Sequence, residues 1–386
     1  MASPDSPSRT PVITGYGAVS PAGTGVERAW AALEAATPAG REFDPDGAGP
    51  PHFVGAIPDD YHPNPGIPRN LAHFLDRGAL LALDAALQAI EAAGLGAGAG
   101  DSRRFAVADG LAFRAPGQAT LFVPYGHLVA RSLGVRGPAL ELGGQEASGM
   151  AAIAAAVRLI TQDQADIVVA GAAQALQRPI LDHLASQGAA SGATARPFDV
   201  AHAGLLPAEG AAYLVVEAEG HARERGAAVL GRIVGVGELF DPSAEPLAIS
   251  DAPEAGRVMQ AALGDAGFLQ NQVDLTVSCA DGRSAVDFAE GYGLRRTFGR
   301  HAHYAGVTTV AGTIGHALAA SGPLSVAMAL EAMRRQRVFP IAGFETAEQD
   351  LELAYVREPR AERIDCVLVT SMGAGGTNVS LILTRE

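Results

Sequence analysis

Apolar segments of two kinds alternate along the chain. The short runs Pro11–Ser20 and Ile167–Gly171 are β-branched or glycine-rich and predict buried strands. The longer alanine-rich segments Val26–Ala35 and Ala79–Ala93 predict helices, and Gly94 suits the C-terminal end of the second one. Strands that alternate with helices in this way predict an α/β fold, in which parallel sheets are covered by helices on both faces.

The second half of the chain repeats the first. Three short matches lie 173, 172 and 173 residues apart: Glu91–Leu95 with Gly264–Phe268, Ala108–Gly110 with Ala280–Gly282, and Ala147–Gly149 with Ala320–Gly322. A fourth match, of Asp166–Val169 with Asp365–Leu368, has a separation of 199 and indicates an insertion near Val338–Glu362. A shared separation predicts an internal duplication. We therefore expect two similar halves, residues 11–235 and 236–386, stacked as an α/β/α/β/α block.

The composition narrows the classes of function. The chain has 386 residues, a net charge of −14 and a pI of about 5.2, which argue against nucleic acid or an anionic membrane as its main partner. Its two cysteines, Cys279 and Cys366, provide neither a disulfide framework nor a thiolate cluster for a metal. The N-terminal residues are polar and no apolar run is long enough to span a bilayer, so we expect a cytoplasmic protein.

One stretch has the pattern of an active-site turn. In Leu140–Ile160, a short apolar run is followed by Gly143 and Gly144, a turn and an alanine-rich helix. A strand, a tight glycine turn and a helix raise one side chain above the end of a sheet, next to the free N–H groups of the helix start. A nucleophilic enzyme has Cys or Ser at that position, whereas this chain has Glu146, and a carboxylate is a poor acyl acceptor.

Five segments resemble motifs of the β-ketoacyl synthases of the thiolase fold, in the order in which that family has them. They are Ile13–Leu33, the turn that contains Glu146, Arg196–Glu217, Gly312–Gly322 and Gly373–Leu383. The resemblance covers nearly the whole chain. It implies the fold of that family, with duplicated βαβαβ halves in a five-layer α/β/α/β/α arrangement, which agrees with the internal repeat.

The resemblance also implies which positions form the site. Active ketosynthases have a Cys nucleophile, two His residues and a Lys. The motifs place the Cys at Glu146, the first His at Cys279, the second His at His316 and the Lys at Ala311. Only His316 keeps the expected residue, so the resemblance implies a scaffold that has lost its capacity for condensation.

Within the family, this pattern resembles chain-length factors, the non-catalytic ketosynthase β subunits of type II polyketide synthases. The C-terminal loop keeps Gly375 and Gly376 but has Ala374 where the family usually has a gating Phe. The resemblance implies a heterodimer with a catalytic ketosynthase, no cofactor, and an acyl chain carried by the phosphopantetheine of an acyl carrier protein. Glu146 in place of the usual Gln and the retained segment Gly315–Gly322 depart from the common aromatic-type pattern, and the resemblance then implies a divergent branch that serves highly reduced or polyene chains.

Two further groups of residues are implied to lie near the acyl tunnel or the subunit interface. The segment Gly110–Gly126 is shorter than its family counterpart, and the strand before the turn pairs across the family dimer. The candidates in these two segments and in the turn that follows the strand are Phe113, Gln118, Phe122, Leu140, Leu142 and Gln145.

Two other functions stay open at this point. One is a malonyl carrier-protein decarboxylase that supplies starter units, although such enzymes of this family need both histidines and Cys279 replaces the first. The other is an acyl-binding or structural homodimer. Glu146 allows an inert, a blocking or a chemical role, and His316 allows either a core role or the polarisation of a thioester carbonyl.

Overall fold

The computed structural model describes residues 8–96, 101–111, 113, 123–244, 249–348 and 351–385. The strands in these ranges are β1 (Pro11–Ser20), β2 (Gly23–Thr24), β3 (Arg41–Phe43), β4 (His52–Val54), β5 (Phe105–Gly110), β6 (Ala139–Leu142), β7 (Ile167–Gln174), β8 (Gly210–Ala218), β9 (Gly231–Phe240), β10 (Leu275–Val277), β11 (Gly306–Thr308), β12 (Arg337–Val338), β13 (Ala354–Tyr355), β14 (Arg360–Ala361), β15 (Cys366–Met372) and β16 (Thr377–Thr384). The helices are α1 (Val26–Glu34), α2 (Arg69–Ala72), α3 (Arg77–Ala92), α4 (Tyr125–Ser132), α5 (Ser148–Thr161), α6 (Arg178–Ser186), α7 (Glu219–Glu224), α8 (Ala252–Ala266), α9 (Ser284–Phe298), α10 (Ala311–Ile314) and α11 (Ser321–Arg335).

The predicted helices form close to their expected positions. α3 begins at Arg77 rather than at Ala79, because the carboxylate of Asp76 accepts a hydrogen bond from the N–H of Ala79 and caps the helix. Gly94 follows α3 with a φ of +64°, a conformation that glycine adopts without steric cost. None of the helices in the described ranges is long and apolar enough to cross a membrane.

The two halves have the same strand order. It is β6-β5-β7-β8-β1 in the first half and β11-β10-β15-β16-β9 in the second, and the chain reaches equivalent strands in the same succession. β1 and β9 pair antiparallel at Val12 and Ile13 and join the two halves. β9 also spans the boundary that we predicted between residues 235 and 236. The predicted duplication is therefore confirmed.

The prediction of parallel sheets is wrong for the pairings of β8 and β16. β5, β6 and β7 are parallel, as are β10, β11 and β15, but β8 and β16 run antiparallel to their neighbours. Only Gly373–Gly376 separate β16 from β15, and so short a connection joins antiparallel strands. The parallel strands are joined by longer crossovers, which contain α4 and α5 in the first half and α9 and α11 in the second.

The predicted insertion lies between α11 and β15. In the first half, β7 begins a few residues after α5, whereas in the second half a long segment separates the equivalent elements. β12 and β14 pair antiparallel and hold the two ends of that segment together. This extra segment explains why the repeat separation rises from 173 to 199 residues.

Five layers result from this topology. The β1–β9 pairing makes the strands of both halves one continuous sheet, and we call the strands of each half its sheet. α5 and α11 pack between these two sheets, α3 and α4 cover the outer face of the first, and α8 and α9 cover that of the second. Side chains alternate along the strands accordingly, so that Val168 and Ala170 of β7 face the central layer while Val169 faces the outer one.

The central helices cross where neither has a side chain. A Cβ on Gly149 of α5 would lie 2.3 Å from the carbonyl oxygen of Ala319, and one on Gly322 of α11 would lie 2.2 Å from Cγ of Met150. The two glycines occupy equivalent positions of the repeat. Their close approach places the turns before α5 and α11 against each other.

Alanine at these glycines tests the crossing. Alanine at Gly149 must displace a backbone carbonyl, so we expect the free energy of unfolding to fall by about 3 kcal/mol. At Gly322, where the atom to be displaced belongs to the buried side chain of Met150, we expect a fall of about 2 kcal/mol. As a control, Gly264→Ala in α8, where an added Cβ meets nothing within 4 Å, should raise it by about 0.5 kcal/mol. Urea denaturation measures all three, and equal effects at Gly149 and Gly264 would contradict the crossing.

Candidate functional site

The turn before α5 has an unusual backbone conformation. After the glycines that follow β6, Gln145 has a φ of +55°, and Leu318 has a φ of +46° at the equivalent position before α11. Non-glycine residues rarely adopt this region, and each such residue costs about 1–3 kcal/mol. The packing of the two turns against each other maintains the strain, and the residue after Gln145, Glu146, is buried.

Both carboxylate oxygens of Glu146 have a partner. Oε2 accepts a hydrogen bond of 2.8 Å from the N–H of Ala374, and Oε1 lies 3.5 Å from Nη1 of Arg283. The side chain is 5% exposed and stands just before α5, where the N-terminal end of a helix favours a negative charge. The carboxylate is thus fixed to the C-terminal loop and is poorly placed to attack a substrate.

A buried ion pair lies behind Glu146. Nη2 and Nε of Arg283 lie 2.7 and 2.9 Å from Oδ2 of Asp281, whose side chain is fully buried. Burial is the largest single influence on Asp281 and opposes its ionisation, but the charge of Arg283 and the hydrogen bonds that Arg283 donates, together with His316, outweigh it, so the pKa of Asp281 lies below its usual value. Burial likewise opposes the charge of Arg283, and Asp281 nevertheless raises the pKa of Arg283. The pair is therefore ionised at neutral pH.

His316 lies beside this ion pair in the neutral form. Its Nε2 is 3.7 Å from Oδ2 of Asp281, which is beyond hydrogen-bond distance. Burial lowers the pKa of His316 in spite of the opposing effect of Asp281. Among the described residues, no hydrogen-bond partner faces Nδ1 of His316.

Cys279, Ala311 and His316 line one internal void of about 10 Å³, enough for a single water molecule. Sγ of Cys279 lies 3.5 Å from Oε2 of Glu290, and the hydroxyl of Thr370 donates a hydrogen bond to the same carboxyl group. Burial, and next to it the Glu290 charge, raises the pKa of the Cys279 thiol well above its usual value. The thiol is protonated at neutral pH and lacks the nucleophilic character of a thiolate.

The structure thus brings the four predicted positions Glu146, Cys279, Ala311 and His316 into one region. The predicted loop joins them, because Ala374 donates its N–H to Glu146 and the following glycines turn the chain into β16 with φ values of +84° and +102°. Leu140 and Leu142 are half-buried on β6. The predicted tunnel residues Gln118 and Phe122 lie outside the described residues.

Sequence analysis missed Asp281 and Arg283 as members of the site. A signal was present, because Asp281 lies in one of the repeated segments and its equivalent in the first half, Asp109, is also a buried acid. No pattern along the chain indicated that Arg283, two residues further on, would contact Glu146. That contact joins residues 137 positions apart in sequence.

Two open cavities flank the turn. The first, which we call the edge cavity, has a volume of about 580 Å³ and lies beside the end of β6, where Leu111, Gly143 and Phe240 line it. The second, which we call the elbow cavity, has a volume of about 590 Å³ and reaches Glu146 and Arg283. Phe113 lines both cavities.

The fold and this site define a thiolase-fold ketosynthase-like protein, and family models agree. The model of the β-ketoacyl synthase N-terminal domain matches residues 9–222, and that of the β-ketoacyl synthase C-terminal domain matches residues 230–345. The chain therefore belongs to the β-ketoacyl synthase family.

Individual relatives extend over almost the whole chain. The 3-oxoacyl-[acyl-carrier-protein] synthase 2 of Coxiella burnetii is 28% identical, with 98% of this chain and 99% of the relative covered. The "Putative polyketide beta-ketoacyl synthase 2" of Streptomyces halstedii is 31% identical, with 98% and 97% covered. A solved β-ketoacyl synthase from Burkholderia phymatum has a TM-score of 0.88 at 27% identity, with 98% and 99% covered. The ishigamide ketosynthase/chain length factor has a TM-score of 0.89 at 24% identity, with 98% and 100% covered, and shows the fold alone.

Removal of the cation tests the buried ion pair. Arg283→Met leaves Asp281 buried without a counter-charge, so we expect the free energy of unfolding to fall by about 3–5 kcal/mol at pH 7. In the native chain the pKa of Asp281 is depressed, so its contribution is present above about pH 4 and is lost as the pH falls further. In Arg283→Met, protonation of Asp281 removes the unpaired buried charge. The difference in the free energy of unfolding between the native chain and the variant should therefore narrow from pH 7 towards pH 4.

The double variant Asp281→Asn with Arg283→Gln is the matched control, since it removes both charges. In urea denaturation at several pH values, the double variant should lose less of the free energy of unfolding than the single variant does. If Arg283→Met lowers the free energy of unfolding only slightly, and by the same amount at every pH, the ion pair contributes little to stability.

Proposed function

We propose that this chain is a chain-length factor, the non-catalytic subunit that pairs with a catalytic ketosynthase in a type II polyketide synthase and shapes its acyl tunnel. The observation that supports it most directly is the fixed carboxylate of Glu146 at the position of the nucleophile. Condensation by a ketosynthase begins with acylation of a thiolate, and a carboxylate is a much poorer acceptor.

The surroundings of Glu146 oppose acylation as well. A thioester carbonyl placed there would need backbone N–H donors for its developing negative charge, and Glu146 already occupies the N–H of Ala374. The thiol of Cys279 is protonated and packs against Glu290, and Ala311 supplies no amine. His316 alone cannot replace these groups, which argues against the malonyl carrier-protein decarboxylase as well.

A free strand edge supports the partnership. Within the described ranges β5 is the only strand that pairs with β6, so the outer edge of β6 is open to a further strand. Leu140 and Leu142 are half-buried on this strand. Two apolar residues nearby are exposed: Leu111, whose N–H donates to the carbonyl of Leu142, is 49% exposed, and Phe240 is 67% exposed. A partner strand that continued the sheet would cover this apolar edge, as an obligate subunit requires.

The proposed chemistry belongs to the partner and to a carrier protein. The acyl chain would be attached to the phosphopantetheine of an acyl carrier protein, and this chain would hold no cofactor of its own. The elbow cavity is mostly apolar, which favours a highly reduced or polyene chain over one rich in keto groups. Such an assembly would work in the cytoplasm.

Co-expression with a Cys-containing ketosynthase tests the proposal. We expect the two chains to co-purify, and Glu146→Ala to leave condensation within about threefold of the native complex, a difference below 1 kcal/mol in activation free energy. Glu146→Gln, which keeps an acceptor for the Ala374 N–H, is the matched control.

Mass spectrometry of the product and of both chains gives the result. A folded Glu146→Ala complex without activity would assign chemistry to this residue. Acylation of this chain by itself, or carbon dioxide release from malonyl carrier protein without a partner, would reject the proposal in favour of an enzyme.

A charge on the free strand edge tests the interface. Leu142→Lys places an ammonium group in the region that the partner would cover, and we expect the affinity for the ketosynthase to fall by about tenfold or more, which is at least 1.4 kcal/mol. Leu269→Lys is the matched control, since Leu269 is 65% exposed after α8 and far along the chain from β6. Sedimentation of the two variants with the partner compares them, and equal weakening would place the interface elsewhere.

A further inference from the structure

Nδ1 of His316 and Oγ of Ser321 are buried and have no hydrogen-bond partner among the described residues. His316 as a whole is 5% exposed, and Ser321 is the first residue of α11. Both residues line the internal void of about 10 Å³ that Cys279 and Ala311 also line. Buried polar atoms in native proteins are almost always hydrogen-bonded, so two such atoms around one void indicate a ligand between them.

The internal repeat provides a comparison for Ser321. Its equivalent in the first half is Ser148, the first residue of α5. Oγ of Ser148 lies 2.8 Å from the carbonyl oxygen of Gln145 and 3.1 Å from that of Leu111, so its hydroxyl is bonded within the protein. Oγ of Ser321 has no corresponding contact in the described ranges. The hydroxyl at the start of α11 is therefore left for a group inside the void.

The surroundings of His316 determine which of its nitrogens carries the proton. Burial lowers the pKa of His316, so the ring is neutral at pH 7. Nε2 lies 3.7 Å from the ionised carboxylate of Asp281, and a lone pair on Nε2 would face that negative charge. The proton is therefore favoured on Nε2, and Nδ1 becomes a hydrogen-bond acceptor. Asp281 is not among the described residues that line the void, so the void lies towards the Nδ1 edge of the ring.

The size and the lining of the void determine what it can hold. About 10 Å³ is the volume that one water molecule needs, and a buried water needs at least two polar partners. The hydroxyls of Thr309 and Thr370 also line the void, but they already donate to the carbonyl of Ala280 and to Glu290. Ala311 contributes only a methyl group, and a longer side chain at that position would fill the space. The void thus has room for one small donor and two groups that need it.

We propose that the void is a binding site for one internal water molecule, which donates a hydrogen bond to Nδ1 of His316 and forms a second one with Oγ of Ser321. The inference goes beyond the proposed function and holds whether or not a ketosynthase binds this chain. It also decides between the two roles that the sequence left open for His316. With Nδ1 bonded to the water and Nε2 facing Asp281, His316 is a core residue rather than a group that polarises a thioester carbonyl.

A high-resolution crystal structure of the full chain is the first test. We expect density for one water at about 2.7–3.2 Å from both Nδ1 of His316 and Oγ of Ser321. Ala311→Val adds two methyl groups to the void and should expel the water, and Ser321→Ala should weaken or remove its density. Ser148→Ala, at the equivalent position in the first half, is the matched control and should keep it. An empty void in the native chain, or a protein group bonded directly to Nδ1, would overturn the inference.

Nitrogen NMR of the chain with ¹⁵N-labelled histidine is the second test. The signals of His316 are those that disappear in His316→Gln, and at neutral pH they should show the proton on Nε2. In Ala311→Val the Nδ1 signal should move to higher frequency, because that nitrogen loses its hydrogen bond, whereas Ser148→Ala should leave it in place.

A proton on Nδ1 in the native chain, or an Nδ1 signal that Ala311→Val does not move, would reject the water site. Neither measurement needs a partner protein. Failure of every ketosynthase to associate would therefore reject the proposed function alone, while the density and the NMR signals still decide what the void holds.

Discussion

The close crossing of α5 and α11 determines the arrangement of the site. Each helix begins at one of the two strained turns, and at Gly149 an added Cβ would lie 2.3 Å from a backbone carbonyl. The helices can approach this closely only because both halves have glycine at the crossing. Because each helix also connects two parallel strands of its own sheet, the same contact sets the distance between the sheets. Glu146 and His316, which come from different halves, share one region for this reason.

The polar groups in that region are stable because they satisfy one another. A buried charge without a partner costs several kcal/mol, so Asp281 can remain ionised only next to Arg283. Glu146 completes the group by accepting the N–H of Ala374 and facing the free nitrogen of the same guanidinium. These contacts occupy the donors that an acyl group would need. The stability of the site and, under the proposed function, its lack of reactivity therefore have one physical cause.

Periodic and repeated features were predictable from the sequence, whereas contacts between distant residues were not. The repeat separation indicated the duplication because equivalent elements keep their lengths in both halves, and the position of Glu146 followed from the local strand–turn–helix pattern. The antiparallel pairing of β8 and β16 was missed, since a strand that is buried on both faces has the same apolar pattern in either orientation. Asp281 was visible only as a repeated residue. The contacts of Arg283 and Ala374 with Glu146 depend on tertiary packing and have no counterpart in local sequence.

Loss of the nucleophile alone does not explain why position 146 is a glutamate. Alanine would abolish acylation equally well, but it would leave the N–H of Ala374 and one nitrogen of Arg283 without their acceptor, at about 1–3 kcal/mol for each buried group. Glutamate likewise provides no thiol, and it also keeps the C-terminal loop attached to the turn before α5. Ala374 of this loop lines both the edge cavity and the elbow cavity, so the attachment preserves the shape of both. A residue that fixes the cavity walls while blocking acylation is what a subunit needs if its contribution is shape.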